Sequence, residues 1–218
     1  MSITPNVLAT RYATKEMVAI FDPINKIINE RKFWITILKL QQKAGLPITD
    51  SDIKAYENVI EKVDLDSIDK REIKTRHDVK ARIEEFNALA GVEKIHIGLT
   101  SRDLTENIEA LQIRQGLDLV HTKVVALLAR LAEASVKYAD QPITGRSHNV
   151  PAQVTTLGKR FATIAEELLF SYDRLVGLQE RYPLRGIKGP VGTAQDSIDL
   201  LGSSAAHHKL EQIIAKEL

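Results

Sequence analysis

The sequence predicts an all-α protein: a small N-terminal helical domain over residues 1–105, followed over 106–218 by the first long helices of a helical bundle. Three observations carry this. Apolar residues recur in steps of three and four almost everywhere, the pattern of a helix with one buried face. The 218 residues hold only 11 glycines and 7 prolines, about 8% against roughly 12% in average usage, too few punctuators for a many-turned β-sandwich. In the second half the apolar steps continue far beyond the length of an ordinary helix.

Asp22-Pro23 reads as an N-cap with proline in the first helical turn. Ile24, Ile27, Ile28, Ile35 and Leu38 then follow at helical spacing, and Gly45 with Pro47 closes the segment. Thr49 and Asp52 form a capping pair before a short helix carrying Ile53, Tyr56 and Ile60. The polar stretch from Asp64 to Lys74 has few apolar anchors and is expected to be loop with one helical turn. Asp78 to Ala90 carries Val79, Ile83, Phe86 and Leu89 and ends at Gly91. Leu104, Ile108, Leu111, Leu117, Val120, Val124, Leu127 and Leu131 then trace one helix of about 35 residues, against an average near 11–12. A second long helix begins at Thr155 or Thr156 and shows Leu157, Phe161, Ile164, Leu168, Tyr172 and Leu175. A short connector holding Pro142 and Gly145 implies that the two pack antiparallel. A further element starts near Ser204 and reaches Leu218 without a termination signal. Two long helices cannot cover their own apolar stripes, so either partner chains complete the bundle or these residues belong to a longer chain.

Composition narrows the function. Thirty Lys+Arg against 29 Asp+Glu leave a net charge of +1, which argues against a broad nucleic-acid surface while leaving room for local phosphate pockets. With no cysteine there is no disulfide framework and no thiolate metal site, consistent with a reducing compartment. The opening MSITPNVLATRYATKEM lacks the apolar core of a signal peptide. The longest clean apolar run, Val124 to Ala129, is far short of a membrane span. A soluble cytoplasmic protein is expected, with neither nucleic acid nor membrane as partner.

Four polar clusters sit at helix boundaries. Thr75-Arg76-His77-Asp78 offers a guanidinium fork for carboxylate or phosphate and an imidazole beside a carboxylate; on composition alone it reads first as a helix start capped by Asp78. His96-Ile97-Gly98-Leu99-Thr100-Ser101-Arg102-Asp103 places two hydroxyls at the start of the first long helix, where backbone N–H groups favour an anion; Thr100 with Asp103 also reads as a capping box. Gly145-Arg146-Ser147-His148-Asn149 puts a histidine in the connector, either a proton carrier or a surface residue. Gly186 to Ala194 is Gly-rich, an anion cradle or a tight turn between helices.

As an ordered set, TRHD, HIGLTSRD, GRSHNVPAQVTTLGKR and GIKGPVGTAQD resemble the adenylosuccinate lyase family of the fumarase/aspartase superfamily, from Arg11-Tyr12 to about Asp199. The resemblance implies a β-elimination in purine nucleotide synthesis: fumarate leaves adenylosuccinate to give AMP, and leaves the succinyl-carboxamide ribotide likewise. It makes His148 the general acid that protonates the leaving nitrogen. Thr100 and Ser101 then bind a substrate carboxylate, and His77 orients substrate with Arg76 and Asp78. Arg11 and Tyr12 hold the nucleotide phosphate, and His96 supports the site. Neither cofactor nor metal is implied. The expected assembly is a homotetramer whose active sites each draw on three subunits.

Ser147 and Asn149 stand where the family often has Thr and Gly. The superfamily's base comes from Gly-Ser-Ser-x-Met-Pro-x-Lys-x-Asn-Pro, and Gly202-Ser203-Ser204-Ala205-Ala206-His207-His208-Lys209 does not supply it. That stretch lacks Met-Pro and Asn-Pro, and is expected to start a helix with His207 and His208 facing solvent. These residues alone are therefore expected to be inactive. A sister enzyme such as argininosuccinate lyase fits Arg11-Tyr12 and TRHD less well. A non-catalytic helical assembly module leaves the polar clusters unexplained.

Overall fold

The computed structural model describes residues 6–217, so the first five residues of the opening segment and Leu218 lie outside the description. A π-helical turn, Leu8–Tyr12, leads to α1 (Lys15–Ile20), α2 (Pro23–Lys43), α3 (Asp50–Glu57), α4 (Leu65–Thr75) and α5 (Asp78–Ala90). The 37-residue α6 (Ser101–Lys137) follows. Next come β1 (Pro142–Ser147), β2 (Val150–Thr156), α7 (Leu157–Arg181), α8 (Gln195–Leu201) and α9 (Ser204–Glu217). The all-α expectation holds apart from one hairpin.

Caps set the boundaries as the sequence implied. Asp22 Oδ1 accepts from the N–H groups of Ile24 and Asn25, with Pro23 behind it. Thr49 and Asp52 exchange both bonds of a capping box, and Thr156 Oγ1 accepts from Lys159 N–H to open α7. Two expectations are corrected. Residues 65–75 form a full helix: Asp64 caps it through Ser67 N–H, and one buried anchor, Ile68, packs with Ile27 and Ala81. The connector is an antiparallel hairpin with a bulge at Gly145/Arg146. Its two-residue turn, His148-Asn149, has positive φ at both positions (50° and 62°), the type I′ pattern whose twist matches that of the strands.

The chain forms two compact units, one running to Ile113 and resuming at Pro183, the other spanning Arg114–Tyr182. In the first, Trp34, Phe33, Tyr56 and Phe86 build an aromatic core with Leu104 and Ile108 of α6. The returning chain adds Ile187, Leu210 and Ile214 to it. Beside this core lies a buried ion pair between Arg31 and Glu85; Arg31 also donates to the carbonyls of Val59 and Ile60.

In the second unit α6 and α7 run antiparallel. Gln179 donates to Asp118 at 2.6 Å, His121 meets Tyr172 at 5.4 Å between ring centroids, and Tyr138 meets Phe161 at 6.0 Å. Near the hairpin the two backbones touch: a Cβ on Gly158 would lie 2.4 Å from the Ser135 carbonyl oxygen and 2.7 Å from the Ala139 backbone. Val125, Leu127, Val136, Ile164, Leu169 and Phe170 are all exposed on this unit.

Candidate functional site

Two of the sequence clusters meet in the first unit. Arg76, the C-cap of α4, has φ 51°, so the chain reverses there and presents His77 ahead of α5. His77, not Asp78, caps α5: its Nδ1 accepts from Lys80 N–H at 3.3 Å. A ring accepting at Nδ1 carries its proton on Nε2 when neutral, and Nε2 lies 3.2 Å from Ser101 Oγ at the start of α6. Asp78 faces His77 Nδ1 at 3.5 Å and is held from behind by Arg82 at 2.9 Å. Burial raises the Asp78 carboxyl, but the Val79 N–H and Arg82 outweigh it and bring it below the usual range.

Arg82 is anchored in turn by Glu30, a fully buried residue of α2, at 2.7 Å between Nε and Oε2. The pair is a charge contact without hydrogen-bond alignment, and neither Glu30 oxygen has a hydrogen bond. Desolvation therefore dominates over the attraction of Arg82 and raises the Glu30 carboxyl to about 7. A carboxyl whose folded pKa is raised stabilises the fold most below its unfolded value, and that contribution is lost as pH rises through about 7. Thermal melts between pH 5 and 7.5 should show this loss, on the order of 3 kcal/mol, and Glu30→Gln should abolish it. Identical pH dependence in both chains would place the ionisation elsewhere.

His96 and Gly98 both have left-handed backbone, φ 67° and 73°. Gly98 is favoured by its positive φ; a Cβ there would also press on the Leu200 Cδ2 methyl at 2.7 Å, a contact the leucine side chain can yield. The half-buried His96 imidazole accepts from Trp34 Nε1–H at 3.0 Å. Burial, the largest influence, lowers it to about 4; Asp103 opposes this, while His77 and Lys80 add to it.

Asp103 does more than the capping box predicted. Its fully buried carboxylate accepts from Thr100 N–H at 2.9 Å. It also accepts from Lys188 N–H at 2.9 Å and Gly189 N–H at 3.1 Å, and Arg185 Nε donates to it at 3.3 Å. The Gly-rich loop is both a turn and an anion cradle, and the anion is the chain's own. On the other side of the loop Glu211 accepts from Ile187 N–H and Lys188 Nζ. His207, expected in solvent, is buried instead: its Nδ1 lies 2.9 Å from Ser197 Oγ and its Nε2 3.6 Å from Glu211. His208 is exposed as expected.

Arg11 and Tyr12 are exposed on the π-helical turn, the guanidinium 5.7 Å from the ring centroid. His148 is exposed at the hairpin turn of the second unit, where Arg146 donates to the Asn149 carbonyl at 2.9 Å. No group of three or more His, Cys, Asp or Glu suited to a metal occurs among the described residues. Trp34, Glu30 and Arg185 escaped the sequence reading because the partners that matter here lie far along the chain; Arg82 could be paired locally with Asp78 but not with Glu30.

The profile of a family described as lyase matches residues 18–213. The chain belongs to this lyase family. Within the lyase family, similar proteins include adenylosuccinate lyase of Saccharomyces cerevisiae, 36% identical over 94% of this chain and 43% of that protein. Adenylosuccinate lyase of Schistosoma mansoni is 33% identical over 97% of this chain and 45% of that protein. The chain thus spans less than half the length of these curated relatives. A crystal structure of 3-carboxy-cis,cis-muconate lactonizing enzyme from Pseudomonas putida shares the lyase fold, with a TM-score of 0.80 at 22% identity over 94% of this chain and 49% of that one.

Proposed function

We propose that these residues are part of a C–N lyase that eliminates fumarate from adenylosuccinate, and from the succinyl-carboxamide ribotide. The observation carrying this is the meeting of His77 Nε2 with Ser101 Oγ at 3.2 Å, at the first turn of a 37-residue helix. There a hydroxyl, an imidazole and the helix N-terminus converge on a spot suited to a carboxylate. Similarity to relatives named adenylosuccinate lyase supplies the substrate.

Removal of the proton beside a substrate carboxylate builds charge on that carboxylate, and donors already aimed at it lower the barrier. Thr100 and Ser101 take this role, and His77, its Nδ1 held by the Lys80 N–H, orients the substrate with Arg76 and Asp78. Arg11 and Tyr12 receive the phosphate. His148 delivers the proton to the departing nitrogen. The base belongs to a segment outside these 218 residues, because the signature that supplies it is not in their sequence. A homotetramer in the cytoplasm belongs to the same proposal. The assembly is supported by the exposed large apolar residues on α6 and α7, of the kind that partner helices cover.

The complete enzyme should release fumarate and AMP from adenylosuccinate, while the 218-residue chain alone should release none. Fumarate from argininosuccinate instead would move the chain to the sister activity. Turnover by the 218 residues alone would show that the base lies within them.

A further inference from the structure

We infer that Trp34 is a positioning residue for His96: by donating its indole N–H to Nδ1 it holds the imidazole as the neutral Nε2–H form, so that His96 serves substrate as a hydrogen-bond donor and not as an acid or base. The assignment follows from the chemistry of the pair. An indole nitrogen only donates, so the 3.0 Å contact from Trp34 Nε1 requires a lone pair on His96 Nδ1. The neutral ring must then carry its hydrogen on Nε2.

Trp34 is well placed to impose this. It is 1% exposed, lies against Phe86 at 6.2 Å between centroids, and meets the imidazole edge-on at 86°. The indole therefore cannot follow the histidine if the ring turns. His96 itself sits at φ 67°, a left-handed conformation that strains a non-glycine residue and persists only where the surroundings over-determine it. Here the strained backbone and the indole fix the ring together.

The groups around the ring agree. Asp103 of α6 favours protonation, whereas burial, His77 at the cap of α5 and Lys80 within α5 oppose it, and the imidazole falls to about 4. The Asp103 carboxylate is meanwhile saturated by Thr100, Lys188, Gly189 and Arg185. Among the described residues no hydrogen bond is recorded for His96 Nε2, which leaves that donor for substrate.

The role in catalysis rests on the lyase reading, but the decisive measurement does not. Nitrogen-15 spectra of the histidine rings in the 218-residue chain should show Nδ1 of His96 without hydrogen and Nε2 with it at neutral pH. Trp34→Phe keeps the aromatic packing and removes the donor. A hydrogen bond to the unprotonated Nδ1 stabilises only the neutral ring, so its loss should raise the His96 titration by about one pH unit. Hydrogen on Nδ1 in the unaltered chain, or a Trp34→Phe ring that titrates unchanged, overturns the inference while leaving the lyase reading intact. Should Trp34→Phe not fold, the spectrum of the unaltered chain decides alone. In the complete enzyme Trp34→Phe should move the acid limb of the kcat/KM profile to higher pH, a change that lost packing would not produce. Failure of the unaltered enzyme to release fumarate would sink the lyase reading and leave the tautomer result standing.

Discussion

Replacing Asp103 by Ala is expected to lower the stability of the chain by about 3–5 kcal/mol, the range for leaving a buried charged network without one partner. Three backbone N–H groups, of Thr100, Lys188 and Gly189, converge on this carboxylate. Each would be left unsatisfied in a buried or half-buried place, at about 1–3 kcal/mol apiece before relaxation. Arg185 would keep only Glu106, at 2.8 Å, and the Gly189 carbonyl. Against a total stability of about 5–15 kcal/mol this is a large fraction. Urea unfolding should show a lower midpoint at an unchanged slope. Asp103→Asn, which retains one acceptor but turns an amide N–H₂ toward donors, should fall between. A loss below about 1 kcal/mol would mean that the loop is held by Glu211 and not by Asp103.

His148→Ala in the complete enzyme should cut turnover about 10²- to 10⁴-fold, the usual weight of a general acid, with the oligomer unchanged. The histidine is exposed on a two-residue turn and makes no recorded side-chain bond among the described residues, so its removal takes little from the fold. Its φ of 50° does penalise alanine. His148→Asn, which tolerates that backbone, separates the two effects: both variants should lose activity alike while Asn keeps the stability. Undiminished turnover in either would move the general acid elsewhere.

What the sequence made legible was local. The bonds of Asp22, Thr49 with Asp52, and Thr156 each span three residues or fewer, and apolar spacing marked the long helices without help from tertiary structure. α4 was missed because one buried residue, Ile68, is enough when the rest of the helix is solvated. The hairpin was missed because its turn is His-Asn, not the Asn-Gly that signals such turns most strongly. His207 was misjudged because Ser197, whose hydroxyl meets its Nδ1, lies on α8, while Glu211, four residues along its own helix, does not by itself signal burial. The site divides in the same way. The clusters around His77 and Ser101 were visible as types, but not their contact. Trp34 with His96, 62 residues apart, and Arg185 with Asp103, 82 apart, leave no mark in a local window.

Gly158 carries no chemistry, yet even a methyl group there would drive α7 off the backbone of α6. It and His148 lie ten residues apart in the same unit, one constrained by bare spacing and the other by the proposed proton transfer. Were both positions invariant in a comparison of many such chains, it would be for reasons with nothing in common. Invariance alone would then rank a contact between two backbones beside a step of the reaction, and only the geometry tells the two apart.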